Sequence, residues 1–187
     1  MYGAQVCYIL PFKIMPILRR IHLPLSRQYF TAMLAGWEGG LSTTTAIIAG
    51  LMISTDKPDL VVLIAIISFM VQAFNGAVGR FSAEQTEQEL DSRRRWMSYA
   101  DPAKDAIVQF LAHVTVSILV ILPIVMIANV LIAVSLSICI TLLFLFFIGF
   151  YKGRLAKTSG LRDGVELVVL GSLIISIGIT AGYFLQA

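Results

Sequence analysis

Charge is what this sequence has least of. Asp, Glu, Lys and Arg together make up 13% of its 187 residues, about half the share of an ordinary soluble domain, and that excludes a water-facing globular protein. Cysteine is nearly missing too. Cys7 and Cys139 lie in different segments and form no CxxC pair, so neither a disulfide framework nor a thiolate metal site is indicated. HExxH, GxSxG, a phosphate-cradling glycine loop and a dinucleotide fingerprint are all wanting. No nucleophile constellation is present, no enzymatic activity is expected, and no permanently bound cofactor is implied. The net charge of +3 carries no nucleic-acid signal, because the basic residues gather at the ends of apolar segments. Apolar segments are what remains. Hydrophobic residues make up 58% of the chain and mean hydropathy is +0.86. These values describe a multi-pass integral membrane protein of one domain, with membrane lipid as an obligatory partner.

Residues 1–28 alternate apolar residues with Lys13, Arg19, Arg20 and Arg27. Pro11, Pro16 and Pro24 prevent one long helix there. A basic segment lying at the membrane surface and a disordered leader are equally good readings. A cleavable signal peptide is not expected, since the positive charges follow the apolar patch rather than precede it.

Residues 29–187 read as an all-α transmembrane domain of five helices. The first span is Phe30 to Ser54, ended by Thr55-Asp56-Lys57-Pro58. The second runs from about Leu60 to Gly79 and continues into water as an acidic helical extension at about 80–100, rich in helix formers. Asp101-Pro102 reads as an N-cap followed by proline at the first helical position. No Asp, Glu, Lys or Arg occurs in the 46 residues between Asp105 and Lys152, a length that suits two crossings of about 20 residues each. Their turn is expected near Asn129, giving a third span of Ala106 to about Ala128 and a fourth of about Val130 to Tyr151. A basic loop, KGRLAKTSGLR, then leads to a fifth span of about Val165 to Leu185.

Polar residues inside the spans are candidates for chemistry. Glu38 lies eleven residues beyond Arg27, roughly 16 Å at helical rise, near the middle of a hydrocarbon core. A carboxylate at that depth faces protein or a wet path rather than lipid. A cation path lined by this helix is one reading; a tightly packed helix with one tolerated acid is the other. Gly36, Gly39, Gly40 and Gly50 would admit a close neighbour. Gln72, with Asn75 three residues on, and His113 fall at comparable depth. Carboxylate, carbonyl and imidazole together suit Mn²⁺ or Fe²⁺, although a packed, hydrogen-bonded imidazole is the better reading of His113. In the extension, Glu84, Glu87 and Asp91 share one helix face and could collect hard cations. A solvated face balanced by Arg93, Arg94 and Arg95 explains the same spacing.

Taken in order, these segments resemble the vacuolar iron transporter family over roughly residues 30–187. Gly39-Gly40-Leu41 through Ala49-Gly50 stands against the family's first-span Asp-Gly-Leu and Ala-Gly. Gly79-Arg80-Phe81 followed by the acidic stretch stands against its Gly-Glu-Tyr pattern. Pro102, Ala103, Ala106, Phe110 and Pro123 follow its third span, and Gly149, the basic loop, Gly171 and Gly182 its ending. The resemblance implies a homodimer that exports Fe²⁺ or Mn²⁺ from the cytosol by proton antiport, with metal captured on the acidic helix. With the residues picked out by depth, the expected metal residues are Glu38, Gln72 and Asn75 within the membrane and, as the resemblance implies for the acidic helix, Glu84, Glu87 and Asp91 outside it. Gly39, Gly76 and Arg80 stand where the family has Asp, Met and Glu. A degenerate, non-transporting member serving as a structural or accessory subunit, with other membrane subunits as partners, is therefore the alternative.

Orientation follows from Lys and Arg. With the N-terminus inside, thirteen of the fourteen fall in inner segments and only Lys57 in an outer one, a split that five spans preserve and four or six spoil. The expected topology is N-terminus in, C-terminus out. In a background lacking Cys7 and Cys139, an impermeant thiol reagent added outside should label a cysteine placed at Gln186 and spare one placed at Ser92. The opposite pattern would reverse the orientation.

Overall fold

The computed structural model describes residues 27–55, 57–90 and 100–186. Residues 1–26, with their expected interfacial segment, lie outside the described residues, as do Asp91 and the three arginines at 93–95. The described chain forms five helices: α1 (Arg27–Ser54), α2 (Pro58–Leu90), α3 (Ala100–Met126), α4 (Val130–Ala156) and α5 (Gly160–Gln186). Four contain segments long and apolar enough to cross a membrane, namely Pro58–Leu90, Ala100–Met126, Val130–Ala156 and Gly160–Leu185. Short links at 127–129 and 157–159 join α3 to α4 and α4 to α5.

The helices largely follow the sequence pattern, and the departures have local causes. α2 is one uninterrupted helix of 33 residues, about 50 Å long, so it outruns a hydrocarbon core of about 30 Å. The expected turn at Asn129 is an N-cap, its side chain accepting a hydrogen bond from the Ile132 amide at 3.2 Å. The basic loop is shorter than expected. α4 continues to Ala156, and Lys157 closes it in the left-handed conformation at φ 59°. Its amide then returns to Arg154 and Gly153. α5 begins at Gly160, and Asp163 steadies the corner by accepting from the Thr158 hydroxyl at 2.6 Å. Asp101 does not cap α3 from outside. The helix already includes Ala100, and Asp101 lies in its first turn, where its charge complements the helix dipole.

α1 is not among the helices apolar enough to cross a membrane, and it occupies the centre. It packs against all four other helices, most extensively α3 and α5. Its buried hydroxyls find partners there instead of lipid. The Thr44 hydroxyl donates to Ser117 Oγ of α3 at 2.9 Å, and Thr45 meets Thr141 of α4 at 2.5 Å. Ser137 of α4 donates to the Val120 carbonyl of α3 at 2.9 Å. Around these sits an apolar core that includes Leu41, Ile48, Val120 and Leu145.

Small residues set the spacing between helices. Ala46 and Gly50 of α1 face Gly178 and Gly182 of α5 so closely that a Cβ on Gly178 would collide with the Ala46 carbonyl. A Cβ on Gly182 would strike the carbonyl of Gly50. These are two small-xxx-small pairs meeting backbone to backbone. Gly36 and Gly40 do the same for α1 against α3 at Gln109 and His113.

Gly178→Leu should therefore lower stability by about 1–3 kcal/mol through overpacking, read as earlier thermal unfolding in detergent. Gly79→Leu meets no atom within 4 Å of the new Cβ and should be neutral or mildly stabilising, since leucine is the better helix former. Equal losses in the two variants would contradict the close approach of α1 and α5.

Candidate functional site

Glu38 is held on the central helix, where its backbone carbonyl accepts from the Ser42 hydroxyl at 2.7 Å. Its side chain is directed to α4. Lys152 Nζ stands 3.6 Å from Glu38 Oε1, and the two side chains retain 47% and 29% of their surface respectively. A charge-assisted hydrogen bond would be about 2.7–2.9 Å long, so this is an ion pair without one. Oε1 is itself enclosed and has no hydrogen-bond partner. The next residue looks elsewhere: a Cβ on Gly39 would lie 3.6 Å from His113 Nδ1 of α3. Positions 38 and 39 thus serve different helices, as their offset of about 100° dictates. Glu38 does not fill the space in front of Gly39.

The other intramembrane candidates are dispersed. His113 is buried against the Gly36, Gly39 and Gly40 face of α1, as a packed residue should be, but its Nε2 makes no hydrogen bond. Gln72 is half-buried and lines a cavity of about 420 Å³ with Thr43, Ala46 and Gly50 of α1 and Gly178 of α5. Asn75 is exposed on α2 among the apolar side chains Val71, Phe74 and Val78. A Cβ on Gly76 would touch Gln109 Nε2 at 3.1 Å, so a bulky side chain at position 76 would require Gln109 to give way.

A second ionic group lies where α1, α2 and α3 meet. Arg80 donates one guanidinium nitrogen toward three oxygens: Glu84 Oε1 at 2.8 Å, Thr31 Oγ1 at 3.2 Å and Asp105 Oδ2 at 3.6 Å. The two acids are well enclosed, with 10% and 4% of their side-chain surface open. Glu84 is therefore turned inward onto Arg80, while Glu87 of the same face is exposed. Asp91 lies outside the described residues. Among the described residues no three His, Cys, Asp or Glu side chains stand together closely enough to hold a metal ion.

Two residues of this arrangement escaped the sequence reading. In the sequence Lys152 informs only topology, and its approach to Glu38 is a tertiary fact, since the two are far apart in the chain. In the sequence Arg80 stands out only as a difference from the family. Its spacing of four from Glu84 is a readable helical pair, but nothing in the spacing announces Asp105 or Thr31.

Removing Arg80 leaves two enclosed carboxylates without their shared cation. Arg80→Met should cost about 3 kcal/mol, the order seen when one member of a buried ion pair is deleted, measured by denaturation in detergent. Adding Glu84→Gln to it should recover part of that loss. Strict additivity of the two changes would show that they do not interact.

A sequence profile of the VIT family matches residues 85–183. The match runs from the end of α2 through α3 and α4 into the last turns of α5. α1, with Glu38, and most of α2, with Gln72, Asn75, Arg80 and Glu84, precede it. No curated protein matches the chain. The match takes in more than half of the sequence, and the fold it falls on is a bundle with four membrane-crossing helices. On that ground the chain is a multi-pass integral membrane protein of the VIT family, the vacuolar iron transporters, a membership that points to metal-ion transport rather than to enzymatic chemistry.

Proposed function

We propose that this protein exports a divalent metal, Fe²⁺ or Mn²⁺, from the cytosol in exchange for protons, working as a homodimer of five-span subunits with the N-terminus inside. The observation that carries the reading is Glu38, a carboxylate on the central helix of a VIT-family bundle with an enclosed oxygen that no hydrogen bond uses. Such a group has ligand capacity to spare, and a carboxylate that alternates between proton and metal is the coupling an antiporter needs. Gln72 and Asn75 assist in this scheme, and Glu84, Glu87 and Asp91 capture metal at the cytosolic end. Asn75, exposed on an apolar face of α2, would meet a partner subunit rather than Glu38 of its own chain. Glu84 would have to leave Arg80 to take part.

A second reading draws on Arg80. With a guanidinium set between Glu84 and Asp105, the enclosed acids at that end are already neutralised. A non-transporting structural or accessory subunit of a larger membrane assembly is consistent with that arrangement.

Liposomes holding the purified protein, an imposed pH gradient and a metal-quenched dye separate the two. Transport predicts proton-driven Fe²⁺ or Mn²⁺ flux that collapses in Glu38→Gln while assembly persists. Robust flux in both proteins would remove Glu38 from the mechanism. No wild-type flux with Fe²⁺, Mn²⁺, Co²⁺ or Zn²⁺ would favour the structural subunit.

A further inference from the structure

We propose that Lys152 is the resident counter-ion of Glu38 and that a divalent cation binds Glu38 by displacing it. The inference deepens the transport reading and rests on it for the identity of the cation. Its geometric basis is the pair itself. At 3.6 Å, with Oε1 enclosed and not hydrogen-bonded, Lys152 neutralises the carboxylate while leaving its lone pairs unspent. Arg80 holds Glu84 quite differently, at hydrogen-bond distance.

Lys152 is also free to leave. It lies in the last turns of α4, just before the cap at Lys157, and about half of its side-chain surface is open. Its flexible four-carbon stem can carry the ammonium into water without moving the helix. Nor does the contact between α1 and α4 depend on the pair, because the buried Thr45–Thr141 hydroxyl contact joins the same two helices. Exchange of cations at Glu38 is therefore a side-chain event.

The arrangement discriminates by charge. A tethered ammonium competes at high local concentration against any monovalent ion, which brings no greater charge to the carboxylate. A divalent ion brings twice the charge and can use the oxygen lone pairs that Lys152 leaves idle. Lys152 thus sets a threshold that a divalent metal passes and a monovalent ion does not. The displaced ammonium is solvated, so the step breaks no covalent bond and needs no co-reactant.

Titration of Mn²⁺ into the purified, detergent-solubilised full chain tests this by calorimetry. Lys152→Gln should bind Mn²⁺ about fivefold or more tightly than wild type, the scale of a partly exposed ion pair. Lys152→Arg, with a planar fork that can hydrogen-bond the carboxylate, should bind more weakly than wild type. Glu38→Gln combined with Lys152→Gln should lose the gain. Unchanged or weaker binding in Lys152→Gln, or no binding in it at all, overturns the proposal. Should Lys152→Gln fail to fold, equal or tighter binding in Lys152→Arg overturns it. Wild-type flux together with unchanged affinity in Lys152→Gln would refute the counter-ion and leave transport standing. A tighter Lys152→Gln in a protein without flux would do the reverse.

Discussion

Hydrocarbon cannot hydrogen-bond, and α1 carries a carboxylate and a run of hydroxyls in a bundle whose other four helices are apolar enough to cross it. That mismatch dictates the arrangement of the bundle. A helix with Glu38, Ser42 and Thr43 to Thr45 in its middle is poorly suited to face lipid on all sides. The other four helices each contact it, and α2 and α4 present apolar side chains such as Leu63, Phe74, Leu143 and Phe147 outward. The hydroxyls then become cross-links. Thr44 reaches Ser117 on α3 and Thr45 reaches Thr141 on α4. Groups that would be costly in lipid instead fix which helices neighbour α1.

Central placement has a second requirement, which is room. A helix touched by four others can be held tightly only if its side chains are small where backbones cross. Gly36 and Gly40 meet α3, and Ala46 and Gly50 meet α5. The two seams leave α1 by different faces, and Glu38 is left on a third, toward α4. The direction of Glu38 is thus a consequence of where the glycines are. Moving the carboxylate one residue on, to position 39, would aim it at His113 instead.

Much of this was legible beforehand because membrane solvation imposes strong rules. Length and apolarity marked the helices to within a few residues, Asn129 marked the turn, and the glycines of α1 marked a packed helix. What could not be read was which basic side chain answers which acid. Glu38 and Lys152 belong to helices separated by most of the chain, and periodicity within α1 says only that Glu38 and Gly39 face different ways. Glu84 shows the same limit. Its spacing from Glu87 put both on one helix face, yet Arg80, Asp105 and Thr31 draw Glu84 inward while Glu87 stays exposed. The short loop after α4 departs from the basic loop that its lysines and arginines suggest. Both are good helix formers, and Lys152 and Arg154 extend the helix to the cap at Lys157.

The two resident cations differ in a way that bears on function. Arg80 touches three oxygens from three helices, one at 2.8 Å, and any ion replacing it would have to break a hydrogen-bonded contact as well as a charge pair. Its Nε is enclosed and unbonded, so the guanidinium is not perfectly seated, but its geometry is still that of a clasp. Lys152 makes one long contact and remains half open to its surroundings. A site meant to stay shut is better served by the first, and a site meant to exchange its occupant by the second. Lys152 is thus the resident cation suited to exchange, while the Arg80 group ties the ends of α1, α2 and α3 together.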